Sequence, residues 1–252
     1  MLAWDERRDL MIAGDFESSL KFCADHFVKV YKESIDKYGS FILALSGGST
    51  PKALFSLLTN SPYISKIDWT KLHLFWSDER SVDPTLPDSN FHMAMESGFS
   101  KVPIPSSQIH RMEAEKNIEQ NALEYEKLIQ STLKGRGFDF IMLGMGEDGH
   151  TASLFPKTEG LKVIGRLVIA NYIPQKNTWR MTLTFECINA ASHIAIYVLG
   201  KSKQEILKNV LTSKKSTYPI ENIGTIKNKA LWIVDNEAAI LIQNNGCIKK
   251  SS

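Results

Sequence analysis

Phe138-Asp139-Phe140-Ile141-Met142-Leu143-Gly144-Met145-Gly146-Glu147-Asp148-Gly149-His150-Thr151-Ala152-Ser153-Leu154-Phe155-Pro156 is the stretch around which the rest of the chain can be ordered. A short apolar run, 138–143, reads as a buried strand, and the glycines at 144, 146 and 149 break it into a loop. Open parallel sheets hold their ligands at such strand ends. The loop carries a carboxylate, Asp148, and an imidazole, His150, two residues apart, which is the makeup of a general base with the group that orients it. Thr151 or Ser153 is placed to cap a helix beyond. Glycine-rich turns after strands also serve purely structural ends, so this loop takes its weight from two other polar loops that follow apolar runs.

Upstream, apolar residues Phe16, Leu20, Phe27, Val30, Tyr31 and Ile35 recur at helical intervals and predict an amphipathic helix over 15–37, with His26 an ordinary boundary histidine. Phe41-Ile42-Leu43-Ala44-Leu45 then reads as a buried strand, followed by Ser46-Gly47-Gly48-Ser49-Thr50-Pro51-Lys52. Two glycines allow close backbone approach, the hydroxyls of Ser46, Ser49 and Thr50 can donate, and Pro51 suits the first turn of a helix. Free amides at a helix start make an anion seat, and the Walker pattern is absent. After a connector, Leu72-His73-Leu74-Phe75-Trp76 predicts the next strand and Ser77-Asp78-Glu79-Arg80-Ser81-Val82-Asp83-Pro84 the third polar loop. Its charges need partners or a ligand, and a local Asp or Glu to Arg pair is the plain reading. Ser89 or Asn90 caps a helix running to about residue 99.

A short strand is expected at 109–112 and a long helix over 117–134, stopped by Gly135 and Gly137. Three strand-loop-helix units in series imply a parallel sheet. Strands follow at 167–170, at 179–185 with Arg180 at its start, at 193–199 and at 231–234. Lys201 and Lys203 open the helix after Gly200, against the dipole unless an anion is near. The expected fold class is therefore α/β: a Rossmann-like, mostly parallel sheet with helices on both faces in a single domain spanning 1–252.

The bulk properties agree. A chain of 252 residues, 43% hydrophobic and 23% charged, suits one globular domain. A net charge of +2 with interspersed signs gives no basic surface for nucleic acid, and no apolar run approaches membrane length. Cys23, Cys187 and Cys247 show no metal-ligand or CxxC spacing, so three free thiols in a reducing, cytoplasmic setting are expected. The charged start lacks a signal peptide's apolar core. No metal, cofactor, nucleic acid, membrane or obligate protein partner is expected, only a small molecule.

In order along the chain, Leu45-Ser46-Gly47-Gly48-Ser49-Thr50-Pro51, Trp76-Ser77-Asp78-Glu79-Arg80 with Asp88-Ser89-Asn90, the loop 144–156, Arg180-Met181-Thr182-Leu183-Thr184, and Gly200 with Lys203 resemble the family that holds the 6-phosphogluconolactonases and the glucosamine-6-phosphate deaminases. The deaminases carry Glu five residues after the loop histidine, where this chain has Phe155, and Tyr after the Asp-Glu pair, where it has Arg80. Both differences favour the lactonase branch. The resemblance implies hydrolysis of 6-phospho-D-glucono-1,5-lactone to 6-phosphogluconate, in the oxidative pentose phosphate route, without metal or organic cofactor. It implies His150 as general base, oriented by Asp148 or a nearby carbonyl, and Arg80 or loop amides at the oxyanion or sugar hydroxyls. The phosphate would sit on Ser46, Gly47, Gly48, Ser49 and Thr50 with Arg180 and Lys203, Lys201 being the alternative lysine. Asp78, Glu79, Asn90, Gly146 and Gly149 would support the loops. A deaminase or isomerase of an aminosugar phosphate, or a phosphosugar-binding module without turnover, are the alternatives.

Overall fold

The computed structural model describes residues 1–213 and 217–244. The tail 249–252, expected as a frayed end, and Cys247 lie outside the described residues. The elements run β1 (Leu2–Ala3), β2 (Arg8–Ile12), α1 (Phe16–Tyr38), β3 (Phe41–Leu45), α2 (Ser49–Leu58), β4 (Leu72–Trp76), β5 (Asp78–Arg80), α3 (Asn90–Glu96), α4 (Ile118–Leu133), β6 (Phe140–Gly144), β7 (Val168–Ile173), β8 (Thr178–Leu183), α5 (Phe185–Asn189), β9 (His193–Val198), α6 (Gln204–Thr212), β10 (Ala230–Val234) and α7 (Asn236–Asn244).

The central sheet has the order β1-β2-β10-β9-β6-β3-β4 and is parallel except for the short β1 at its edge. Every residue of β3 is buried, so both faces of the sheet are covered, as a continuous apolar run predicts. Phe27 of α1 meets Phe41 and Phe140 edge to face, and those two rings stack on each other. That helix begins on Asp15, which accepts from the Ser18 amide at 2.8 Å, and ends on Gly39 in the left-handed region. Cys23 and Cys187 are free and buried. Among the described residues no helix is long and apolar enough to cross a membrane.

Four departures from the sequence reading matter. The polar stretch 77–84 is not all loop: Asp78–Arg80 pairs antiparallel with β8 in a second, three-stranded sheet of order β5-β8-β7. Charge concealed this strand, because its side chains are polar and spend themselves on hydrogen bonds rather than on an apolar core. No α-helix follows β6, so neither Thr151 nor Ser153 is a cap. The chain turns tightly instead, with Thr151 Oγ donating to the Gly144 carbonyl at 2.9 Å and Ser153 Oγ to Asp78 at 2.5 Å. The expected strand at 109–112 reduces to one bridge, Leu74 to Ile109. Finally, β2 was hidden by its charged neighbours, yet it extends the sheet beside β10.

Candidate active site

The loops that leave β3, β4, β6 and β9 surround a cavity of about 320 Å³ at the carboxyl end of the sheet. Ser46 to Pro51 line one wall, Asp78, Arg80, Asn90 and Arg180 a second, and Gly144 to Gly146 with His150, Ala152, Ser153 and Phe155 a third. Lys176, Tyr197 and Lys203 complete it. Of the two lysines left open by sequence, Lys203 lines the cavity and Lys201 is exposed away from it.

The β6 loop is built to hold an imidazole. Gly146 N donates to the His150 carbonyl at 2.9 Å and Gly149 N to the Gly146 carbonyl at 3.0 Å, so the chain closes on itself between them. His150 then folds back over Gly146, where a Cβ would lie 2.0 Å from His150 Nδ1. With the ring in this position only glycine fits there. Gly149, in the left-handed region, is packed by Tyr218. His150 Nδ1 lies 2.5 Å from Asp148 Oδ1, which also accepts from the His150 amide at 3.1 Å. Burial pushes the Asp148 carboxyl up, but these bonds from His150 outweigh it and hold the carboxyl below the usual range. A carboxylate only accepts, so Nδ1 is the donor, and in the neutral imidazole the lone pair then lies on Nε2. Phe155 stacks on the ring with centroids 3.9 Å apart, fixing its plane.

The stretch expected to seat an anion lies at the start of α2. Gly48 occupies the cap position with no side-chain hydrogen bond, which leaves the first amides of the helix unspent. Asn90 locks this loop to its neighbour: a Cβ on Gly47 would lie 2.0 Å from Asn90 Oδ1, while Asn90 Nδ2 donates to the Asp78 carbonyl at 2.9 Å. Glu79, 3% exposed, does not line the cavity. Its oxygens accept from the amides of Arg80, Asn90 and Phe91 and from Ser89 Oγ, at 2.7 to 3.0 Å, and so anchor the start of α3. Burial raises its carboxyl above the usual range, against the pull of those amides.

Two cations stand side by side on the second sheet, since Arg80 and Arg180 are cross-strand partners. Arg80 gives Nη1 to the Asp88 carbonyl at 2.6 Å, not to the neighbouring carboxylates that the plain reading paired with it. Nε of each arginine is buried without a hydrogen-bond partner. Desolvation lowers the Arg180 guanidinium below the ordinary arginine range, with Asp78 opposing and Arg80 adding to the shift. Like charges placed together with unspent donors suit an anion. Lys203 reaches in from the β9 loop, donating to the Met145 carbonyl at 2.8 Å. Among the described residues no group of three or more His, Cys, Asp or Glu is placed to hold a metal ion.

All the site residues anticipated from sequence except Glu79 and Gly149 line this one cavity, save Asp148, which reaches it through His150. Tyr197 and Lys176 were missed. Tyr197 is one letter in an apolar strand, and Lys176 sits at a hairpin tip among other polar residues, so neither carried a signal.

The Asp148–His150 pair and the uncapped start of α2 thus meet at the carboxyl end of a parallel α/β sheet. The family described as glucosamine-6-phosphate isomerases/6-phosphogluconolactonase matches residues 15–232, and the chain belongs to it. The 6-phosphogluconolactonase of Chlamydia pneumoniae is 36% identical over 242 residues, covering 94% of this chain and 92% of its own. That of Haemophilus influenzae is 37% identical over 202 residues, covering 79% and 87%. Among solved structures, 6-phosphogluconolactonase from Trypanosoma cruzi superposes with a TM-score of 0.83 at 26% identity, over 94% of this chain and 97% of that one.

Proposed function

We propose that this chain hydrolyses 6-phospho-D-glucono-1,5-lactone to 6-phosphogluconate, the hydrolytic step of the oxidative pentose phosphate route, with His150 as general base. The observation that carries the reading is the Asp148–His150 pair, at 2.5 Å, on a ring that lines the same cavity as the unspent amides of α2. An anion seat alone needs no dyad, which speaks against a binding module.

His150 Nε2 takes a proton from water as the water oxygen attacks C1, and the carbonyl electrons move onto the exocyclic oxygen. Arg80 is the neighbouring donor for that oxygen or the sugar hydroxyls. Collapse of the tetrahedral intermediate breaks the bond from C1 to the ring oxygen, and the imidazolium returns the proton to that oxygen. The new carboxylic acid then ionises to solvent. Asp148 supports the imidazolium and holds the tautomer. The phosphate rests on residues 46–50 with Arg180 and Lys203, so its binding orients C1 against the water.

Phe155 supports the lactonase over the deaminase branch. Where the deaminases carry a carboxylate, this chain stacks an apolar ring on His150. A lactone carbonyl is already activated and needs only water delivered to it.

The test is hydrolysis of freshly generated lactone by wild type and His150→Ala, corrected for the spontaneous reaction. A wild-type acceleration that falls about 10²–10⁴-fold in the variant, with the fold intact, is expected. No wild-type acceleration would overturn the reading, and ammonia release from glucosamine 6-phosphate would replace it with the deaminase.

A further inference from the structure

Tyr197 is a polar side chain in the cavity that this hydrolysis leaves unused. It lies near the end of β9, 4% exposed, and lines the cavity. Its hydroxyl is buried without a hydrogen-bond partner. Such groups are rare in folded proteins, since an unmade hydrogen bond is destabilising, and each calls for a reason. Desolvation, with a smaller effect of the Cys23 thiol, holds the phenol well above its ordinary pKa. The hydroxyl therefore keeps its proton and remains a donor.

The ladder shows where the ring stands. Tyr197 pairs with Gly144 in the parallel β6–β9 register, and partners in register send their side chains to the same side of a sheet. A Cβ on Gly144 would meet no heavy atom within 4 Å. The space beside the base of the Tyr197 side chain is thus open, kept so by the side chain that Gly144 lacks, and both residues line the cavity. Tyr197 shares a face of β9 with His193, whose Nε2 lies 3.7 Å from Glu33 of α1, so the ring stands on the α1 side of the sheet, and α1 packs against α2. Phenol and unspent amides border the cavity from the same side.

We propose that Tyr197 is a neutral hydrogen-bond donor to the anionic end of the bound sugar phosphate, seated on the first amides of α2. This rests on the phosphosugar reading of the site. A neutral donor complements Arg180 and Lys203, because it adds a directed bond to a phosphate oxygen without adding to their mutual repulsion.

Tyr197→Phe removes one oxygen and keeps the ring. The inhibition constants of inorganic phosphate and 6-phosphogluconate should rise about tenfold to a hundredfold, the loss expected for a hydrogen bond to a charged group. KM for the lactone should rise with them while kcat changes less. The melting temperature of the free protein should not fall, since the lost oxygen had no partner. Glucono-1,5-lactone, which has no phosphate, should bind both proteins alike. Gly144→Ala, whose methyl enters open space, should fold normally and weaken the same phosphate-bearing ligands. Equal affinity of wild type and Tyr197→Phe for inorganic phosphate and 6-phosphogluconate would overturn the proposal, as would an equal loss for the unphosphorylated lactone. If wild type failed to accelerate lactone hydrolysis, the function proposed above would fall, and the inorganic-phosphate comparison would still decide the role of the phenol.

Discussion

The two ends of the central sheet treat their polar groups differently. At the amino end a smaller cavity, about 220 Å³, is bordered by Glu33, Ser34, Lys37, Tyr38, Asp139, Ser192 and His193. Charges there are matched. Asp139, 1% exposed, accepts from the Ile42 amide at 2.8 Å and pairs with Arg136 at 3.2 Å. The Arg136 guanidinium in turn lies over the Tyr38 ring, and His193 stands 3.7 Å from Glu33. At the carboxyl end, Arg80 Nε, Arg180 Nε and the Tyr197 hydroxyl are all buried and unspent. An unspent buried donor costs stability unless something else uses it. Groups at one end are matched within the fold; donors at the other are left over beside the cavity. Cavity alone does not make a site.

The largest break in this contrast should come from one methyl group. Gly146→Ala puts a Cβ within about 2 Å of the His150 ring, at 2.0 Å from Nδ1 and 2.1 Å from Cε1. The backbone at Gly146 is not in the left-handed region, so the fold survives and the imidazole must move off Asp148. Lactone hydrolysis should fall about 10²-fold or more, approaching His150→Ala, with an unchanged denaturation midpoint. Full activity in Gly146→Ala would show that the dyad geometry is not what the reaction uses.

The contrast becomes sharper with one arginine removed at each end. Arg180→Met deletes surplus charge, so KM for the lactone should rise about tenfold to a hundredfold while stability stays within about 1 kcal/mol of wild type. Arg136→Ala strands the buried Asp139 carboxylate. It should lose about 1.5–3 kcal/mol in urea denaturation and leave kcat and KM unchanged. Asp139 already sits above the usual carboxylate range through burial, with the Ile42 amide and Arg136 pulling against it, and its loss of Arg136 would raise it further. The opposite pattern, affinity lost at Arg136 and stability at Arg180, would dissolve the distinction between the ends.

Sequence made the matched, apolar part of this molecule easy to read and the surplus part hard. Strands β3, β4, β6, β9 and β10 are short apolar runs, and α1 and α4 are periodic, so local pattern and final burial agree. Asp148 and His150 were legible because loop and dyad are adjacent in the chain. The strand Asp78–Arg80 was not, because its partner is about a hundred residues away and pairing leaves no mark on a charged triplet. Glu79 showed its charge but not its use, which is to anchor α3 rather than meet a ligand. Tyr197 was silent for the opposite reason: its neighbours in β9 are apolar, and only its place on the cavity wall and its unpartnered hydroxyl mark it out.

The smallest effect tests whether the matched end is matched throughout. His26, on α1, stacks on Phe22 and meets Phe140 edge-on at the start of β6, and its Nδ1 is buried without a partner. Desolvation, with smaller repulsions from His193 and Lys29, lowers its pKa from 6.5 to about 4. The folded protein thus refuses a proton that the unfolded chain accepts. Between those two values the unfolded state binds more protons, so stability is fully present above about pH 6.5 and drains as pH falls towards 4. His110, also lowered to about 4 by burial and by His73, contributes a fall of the same sign. His26→Leu removes one contribution and leaves the other. The drop in urea midpoint between pH 7 and pH 4.5 should shrink in the variant without vanishing. An undiminished drop would mean that His26 is hydrated or partnered in the folded protein, and would assign the acid sensitivity to the His73–His110 pair instead.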